Sequence, residues 1–208
     1  SQQMVPRFLL FAAAVSAAWA LGPPVIPVAE YVCDGMVSLT FQGTQVECGT
    51  EIPLSNTSTQ PTISYQNATP GLLYTLIIVD RDALSMASPI YSPIMHFVVS
   101  NVTGEELAAG LDTTDALNPF LAYSRPMPPV AAGCHRYYIH LYLQSSTVSP
   151  NLKHIQPADV ADRITWDFPQ WAANQSLTKL AVNFFTTQNP TNSTGPCSPP
   201  APAAPACP

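Results

Sequence analysis

The sequence predicts a mostly β domain with a few short helices. Two observations support this prediction. Short runs of strand length recur along the chain, at residues 36–41, 62–65, 74–79, 96–100 and 137–143. Turn-forming pairs such as Gln42-Gly43 and Ser88-Pro89 separate these runs. Segments with helical signals are few, so strands make up most of the expected fold.

The strand at 137–143 has the clearest pattern, since two sets of side chains alternate along it: Tyr137, Ile139 and Leu141 in one set, and Tyr138, His140 and Tyr142 in the other. This period of two indicates a sheet with two differently occupied faces. Helical signals are limited to a short turn at 104–110, an amphipathic stretch at 168–175, and the segment 157–164 with a proline near its first turn.

Composition narrows the possible functions. The chain has 208 residues, which suits one sizeable core, and 47% hydrophobic with 10% charged residues indicates a globular domain. The net charge of −6 and the scattered basic residues argue against binding to nucleic acid or through a polybasic membrane patch. We therefore expect neither partner.

The ends of the chain differ in composition from its middle. Residues 1–20 have the pattern of a signal peptide, with three residues ahead of Met4 and cleavage expected after Ala20. A proline-rich lead-in follows at 21–35, the domain is expected at 36–188, and a Pro/Ala-rich tail at 189–208 is expected to be disordered. The apolar run is too short for a confident membrane span, and the tail lacks the hydrophobic end of a GPI signal, so we expect no membrane anchor.

Two further features predict secretion. Five Asn-x-Ser/Thr sequons are expected surface glycosylation sites, at Asn56, Asn67, Asn101, Asn174 and Asn192. Five cysteines suit an oxidising compartment and form no zinc-type pair, namely Cys33, Cys48, Cys134, Cys197 and Cys207. Their odd number leaves one thiol unpaired or intermolecular, and their pairing does not follow from the sequence.

Carboxylates stand where an apolar run ends. Leu76 to Val79 lead directly into Asp80 and Asp82, and His96 lies within the next apolar run. A buried charge is costly unless something compensates it. One interpretation is a turn capped by aspartates with a histidine in the core, and the other is a pocket that binds an anion.

A combination of motifs resembles the phosphatidylethanolamine-binding protein family, which includes the Raf kinase inhibitor proteins. The matching segments are YTLIIVDRDA at 74–83, HFVVSNV at 96–102, PPVAAGCHRYYIHLY at 128–142 and LAVNFFTTQ at 180–188. The resemblance implies a β-sandwich of antiparallel sheets with a few peripheral helices. It also implies a pocket for a phosphate or phosphoryl head group, lined by Asp80, Asp82, His96, Pro128, Gly133, His135 and Tyr137. The family's usual Asp-Pro-Asp-Ala-Pro becomes Asp80-Arg81-Asp82-Ala83-Leu84, which leaves the geometry of this loop open.

The chemistry of these residues fits the implied ligand. Histidine and tyrosine side chains donate hydrogen bonds to phosphoryl oxygens. An ionised aspartate only accepts, so Asp80 is expected to orient a histidine or to meet the amine of a head group. Arg136 is expected to pair with a carboxylate near the pocket, and Cys134 to form a disulfide rather than a Cys-His nucleophile pair. We therefore expect a secreted, non-enzymatic binder of phospholipid head groups or other small phosphoryl anions, without cofactor or metal. The alternative is a secreted inhibitor of serine proteases or carboxypeptidases that acts through a protein–protein surface.

Overall fold

The computed structural model describes residues 24–34, 37–111, 120–149, 160–191, 193 and 195–197. Within these residues the strands are β1 (Ser38–Phe41), β2 (Thr44–Val46), β3 (Thr50–Glu51), β4 (Thr62–Ser64), β5 (Leu73–Asp80), β6 (Ile94–Thr103), β7 (His135–Gln144) and β8 (Thr178–Thr187). The α-helices are α1 (Gly104–Ala109) and α2 (Phe168–Asn174), and single turns of 3-10 helix occupy Val28–Tyr31, Leu54–Ser58 and Val160–Asp162.

The mostly β prediction is confirmed. The five predicted strands correspond to β1, β4, β5, β6 and β7, and the helical signals at 104–110 and 168–175 correspond to α1 and α2. In the predicted helix 157–164, residues 157–159 lie outside the described residues, and the next three form a 3-10 turn. Strands β2, β3 and β8 were not predicted as strands. Three and two residues are too few to show an alternation in β2 and β3, and the segment 180–188, which covers most of β8, was singled out only by its resemblance to the family.

The strands form two sheets. One has the order β2-β1-β4, and the other has the order β3-β8-β7-β5-β6. All neighbouring strands run antiparallel except β3 and β8, which are parallel, so the second sheet is mixed. Strands β5 and β7 lie inside this sheet, and β5 pairs with β7 over its whole length, from Leu73 opposite Gln144 to Asp80 opposite Tyr137.

The second sheet buries both of its faces. One face packs against the smaller sheet in a cluster that includes Leu39, Phe41, Ile63, Leu76, Ile78, Ile139 and Phe185. The other face is covered by the lead-in and α2, in a cluster that includes Tyr31, Ile77, Val79, Tyr138, Phe168 and Val182. The alternation read along β7 is therefore confirmed, because its odd- and even-numbered side chains enter different cores.

Two disulfides attach segments outside the sheets to the core. Cys33 bonds to Cys48, and Cys134 bonds to Cys197, as expected for a secreted chain. Cys197 is buried and donates its backbone N–H to Glu51, so the folded unit continues to at least residue 197. The predicted signal peptide, Asn192 and Cys207 lie outside the described residues. No helix in the described ranges is long and apolar enough to cross a membrane.

Candidate functional site

The pairing of β5 with β7 brings the first predicted site residues together. Asp80, the last residue of β5, lies opposite Tyr137, and His135 begins β7 on the same face as Tyr137. All three side chains are almost fully buried. Residues far apart in the chain thus meet at one end of the larger sheet.

Asp80 and His135 form a buried pair. The Nδ1–H of His135 donates to Asp80 Oδ2 at 2.8 Å, and Asp80 Oδ1 accepts the backbone N–H of Asp82 at 2.7 Å. Burial by itself lowers the pKa of His135. The hydrogen bond and negative charge of Asp80, with further contributions from the charge of Asp82 and the Leu84 carbonyl, together outweigh burial and raise it. His135 therefore keeps its positive charge to higher pH than an ordinary histidine.

The other nitrogen of His135 has no such partner. Its Nε2 is buried and has no hydrogen-bond partner among the described residues. Because Nδ1 is committed to Asp80, the protonated ring presents Nε2–H as a charged donor. Buried donors are rarely left unpaired in native proteins, so this atom indicates a place for a ligand or water.

His96 enters the site through a β-bulge. Ile78 pairs with Phe97 and Val79 with Met95, which leaves His96 as the extra residue of β6. Its ring lies edge-on to that of Tyr137, with the centroids 5.1 Å apart. The bulge turns a side chain toward Tyr137 that would face elsewhere in a regular strand.

His96 differs from His135 in charge. Its Nδ1–H donates to the Ser124 carbonyl at 2.7 Å, and burial lowers the pKa of its ring although Asp80 opposes this. The neutral ring therefore keeps a lone pair on Nε2, which accepts a hydrogen bond. The two histidines supply opposite functions, a charged donor and a neutral acceptor.

Tyr137 lies beside both histidines. Its ring stacks on Phe185 with centroids 5.0 Å apart, and its hydroxyl is buried and makes no hydrogen bond of regular geometry among the described residues, although the Asp80 carboxylate is nearby. Burial raises the pKa of Tyr137 well above its usual value, and the charge and the accepting oxygens of Asp80 add to this effect. The hydroxyl therefore stays protonated and is a neutral donor.

Asp82 has a different role from Asp80. Its Oδ2 accepts from the backbone N–H and Nε–H of Arg136 at 2.9 and 2.7 Å, and its Oδ1 accepts from Arg136 Nη2 at 2.6 Å. The expected pairing of Arg136 with a nearby carboxylate is confirmed. With both oxygens committed to Arg136, Asp82 holds the start of β7 against the end of β5.

The remaining predicted site residues belong to the loop before β7. Gly133 is exposed and has a φ of +79°, a left-handed conformation that favours glycine. An added Cβ would meet nothing within 4 Å, so backbone conformation rather than crowding explains this glycine. Pro128 is buried, and its carbonyl accepts from Asn189 Nδ2 at 3.3 Å.

Sequence reasoning missed the residues that hold His96 in place. The guanidinium of Arg163 is buried and donates to the carbonyls of Met95, at 3.2 Å, and Ala122, at 3.0 Å. The Ser124 carbonyl then orients the ring. Every residue has a backbone carbonyl, so the sequence does not indicate that the carbonyl of Ser124 binds His96. Arg163 lies in the predicted helix 157–164, where an arginine is common and gives no signal of its role.

Comparison with known proteins identifies the family of this chain. The family model for phosphatidylethanolamine-binding proteins matches residues 26–196, most of the chain. The chain belongs to the phosphatidylethanolamine-binding protein family. Among curated relatives, a 26 kDa secreted antigen of Toxocara canis is 33% identical over 156 residues, which cover 73% of this chain and 56% of that protein. The match thus spans just over half the length of that relative.

Solved structures share the fold of this family. A phosphatidylethanolamine-binding protein from Plasmodium vivax superposes with a TM-score of 0.61 at 20% identity, covering 74% of this chain and 84% of that one. The carboxypeptidase Y inhibitor, solved in complex with its cognate proteinase, has a TM-score of 0.58 at 23% identity, with coverages of 76% and 84%. At such identities the likeness shows the common fold.

The cluster of Asp80, His96, His135 and Tyr137 is called the family site below, because the resemblance predicts that these residues line the family pocket. Cys134 is in a disulfide with Cys197, so it is not available as a nucleophile beside His135. Across the described residues, no group of three or more His, Cys, Asp or Glu side chains is arranged to hold a metal ion. The groups present are hydrogen-bond donors and acceptors around one buried end of the sheet.

Proposed function

We propose that the protein is a secreted, non-enzymatic binder of small phosphoryl anions, such as phospholipid head groups, at the site of Asp80, His96, His135 and Tyr137. The observation that carries the proposal is the pair of buried, unpartnered donors at His135 Nε2 and the Tyr137 hydroxyl. A phosphoryl oxygen would satisfy both donors. Membership in the family and the likeness to a secreted antigen support the same conclusion.

The donor and acceptor set favours one ionisation state of the ligand. His135 and Tyr137 donate to oxygen atoms that carry negative charge, whereas neutral His96 accepts. A phosphate group that retains a proton, or the ammonium of an ethanolamine head group, would supply the donor that His96 needs. Sulfate carries no proton near neutral pH and would leave His96 unmatched, so phosphate should bind more tightly than sulfate.

Calorimetry on the purified protein tests this proposal. We expect saturable one-to-one binding of O-phosphorylethanolamine and of inorganic phosphate at pH 5.5 and 7.5. Tyr137→Phe removes one donor and should weaken binding about tenfold or more, since hydrogen bonds to charged groups contribute roughly 1.5–3 kcal/mol. The melting temperature of the free protein should change little, because the Tyr137 hydroxyl makes no hydrogen bond of regular geometry that the substitution would remove.

Tyr142→Phe is the matched control. Tyr142 is another buried tyrosine of β7 with an unpartnered hydroxyl, but its side chain lies on the opposite face of the sheet. It should bind phosphate as the wild type does. Equal affinity in Tyr137→Phe and wild type, with both proteins folded, would contradict the assignment.

The alternative is inhibition of a serine protease or carboxypeptidase through the protein surface. It is motivated by the structural neighbour solved with its proteinase, at an identity that shows the fold alone. Tyr137→Phe distinguishes the two functions, because this substitution should weaken phosphate binding but should leave inhibition through the protein surface unchanged. Absence of phosphate binding in the wild type would favour this alternative.

A further inference from the structure

A cleft lies on the opposite side of the larger sheet from the family site. Its volume is about 300 Å³, and its walls come from the lead-in at residues 24–26 and from the loop after β5. Tyr31 forms part of the cleft and packs against Tyr138, with ring centroids 4.8 Å apart. Tyr138 and Tyr137 point to opposite faces of β7, so this cleft and the site of His135 are separate.

Arg81 provides the charge of this cleft. Its guanidinium stacks on the ring of Tyr31, with Cζ 4.2 Å from the centroid, and it is partly buried. Within the described part of the chain, no carboxylate forms a salt bridge with Arg81. The other guanidinium of the cleft, that of Arg136, is neutralised by Asp82. The two arginines and one aspartate therefore leave a net charge of about +1.

The rest of the wall is largely apolar. Val25 and Ile26 line the side formed by the lead-in, and Met86 and Pro89 line the side formed by the loop. Met86 is 50% exposed and Val25 is 96% exposed, so their apolar surface faces solvent. A guanidinium next to uncovered apolar surface matches a ligand that has one anionic end and an apolar body.

We propose that this cleft binds a small amphipathic carboxylate, with the carboxylate on Arg81 and the apolar body between the lead-in and Met86. A planar guanidinium pairs with a carboxylate through two parallel hydrogen bonds. A carboxylate carries one negative charge at neutral pH and so matches the single uncompensated charge, whereas a phosphate monoester carries nearly two. The volume lies at the lower end of the range for ligand pockets, which indicates a short chain.

Octanoate is a suitable probe, titrated by calorimetry below its micelle concentration. We expect one-to-one binding to the wild type, with much weaker binding of octanol, which lacks the charge, and of acetate, which lacks the chain. Arg81→Gln should reduce octanoate affinity about tenfold or more. Octanol binding as tightly as octanoate, or no loss of affinity in Arg81→Gln, would overturn the proposal.

A pair of surface variants gives a second test that does not touch Arg81. Met86→Asp places a negative charge on the cleft wall and should weaken octanoate binding, whereas Leu72→Asp should leave it unchanged. Leu72 is 41% exposed and precedes β5 at the opposite end of the sheet, so the two substitutions are matched in type and exposure. Equal affinities in the two variants would count against the cleft.

The two sites can be assessed independently in the same proteins. Tyr137→Phe should retain octanoate binding and weaken phosphate binding, whereas Met86→Asp should weaken octanoate binding and retain phosphate binding. Octanoate binding lost in Tyr137→Phe would mean that octanoate occupies the family site and would overturn the second site. Failure of phosphate binding alone would contradict the proposed function and leave the cleft supported.

Discussion

At the scale of single residues, the charge of Asp80 controls the charge of His135. Burial is the largest single influence on the pKa of His135 and lowers it, but the 2.8 Å hydrogen bond to Asp80 and the charge of Asp80, together with smaller contributions from Asp82 and Leu84, outweigh burial and raise that pKa. Neutral His96 lies on the other side of Tyr137, and the Ser124 carbonyl determines its tautomer. Two histidines in one site thus differ in function because their neighbours differ.

The pH dependence of phosphate binding should follow His135. Since its pKa is raised, affinity for methyl phosphate should be high below that pKa and should fall as pH rises through it. The ligand itself loses a proton near pH 6, so it is almost fully deprotonated above about pH 7.5. A fall in affinity between pH 7.5 and 9.5, measured by calorimetry, would therefore come from the protein and not from the ligand.

Asp80→Asn tests directly whether the charge of Asp80 sets the pH dependence of phosphate binding through His135. The amide oxygen still accepts from His135 Nδ1–H, but the charge that raises the pKa is lost. We expect the decline in affinity to move to lower pH while the geometry of the ring is retained. An unchanged pH profile would contradict a charged His135 in binding. The His135 ring resonances in an NMR titration give an independent measurement of its pKa.

The predicted glycosylation sites differ in how accessible the amide nitrogen of each asparagine is. Asn101 has a φ of +60°, its Nδ2 donates to the Val148 carbonyl at 2.9 Å, and its Oδ1 accepts from Gln144 Nε2. Asn67 is exposed in a turn. The amide nitrogen that would carry a glycan is therefore occupied at Asn101 and accessible at Asn67.

We expect Asn67→Gln to remove one glycan from protein secreted by a glycosylating host, and Asn101→Gln to remove none. Intact mass before and after glycosidase treatment checks both outcomes. A glycan on Asn101 of the folded protein would contradict this prediction, since its hydrogen bonds to Val148 would have to break.

At the scale of elements, irregularities in β6 and the loop before β7 shape the site. The bulge of β6 turns His96 toward Tyr137, and the backbone of His96 is held in turn by the N–H of Ser124. The loop before β7 ends at Cys134, whose disulfide lies directly before His135. The strands alone would provide only part of the site.

The Cys134–Cys197 disulfide should contribute strongly to stability. It joins residues separated by 63 positions and ties the segment after β8 to the start of β7. Replacing both cysteines by alanine should lower the free energy of unfolding by about 2–4 kcal/mol, because the unfolded chain regains freedom. Denaturant unfolding of the variant and the wild type measures the difference.

A matched control is the corresponding double variant of Cys33 and Cys48, which are separated by only 15 positions. The shorter loop restricts the unfolded chain less, so a smaller loss is expected. A larger loss from the shorter loop would contradict an origin in chain entropy and would indicate that the lead-in stabilises the domain through its contacts.

At the scale of the whole molecule, the larger sheet separates two buried regions that surround their histidines differently. One face ends in the histidines and Tyr137 of the family site, and the other encloses His140 among Tyr138, Tyr142 and Phe168. Both ring nitrogens of His140 are buried and unpartnered in the described structure. Burial lowers the pKa of His140 to about 3. This histidine therefore opposes folding in acid.

Stability should decline as the pH falls from about 6.5 toward 3, since the unfolded chain gains a proton at His140 that the folded protein does not accept. The loss by pH 4 is on the order of 3 kcal/mol. His140→Phe should suppress much of this decline, as measured by denaturant unfolding at pH 7 and pH 4. His135 acts in the opposite sense, because its raised pKa stabilises the folded protein at low pH. Equal pH dependence in His140→Phe and wild type would contradict the role of His140.

The sequence by itself determined the mostly β character, the two faces of β7 and the motifs that identify the family. These properties depend on local patterns, namely a period of two, turn residues and short motifs around Asp80, His96 and His135. The tertiary structure alone decided which groups become partners. The bulge that admits His96, the commitment of Asp82 to Arg136, and the buried Arg163 depend on register between distant strands, which local pattern does not encode. The free donors of His135 and Tyr137 emerge only when every other hydrogen bond is accounted for in three dimensions.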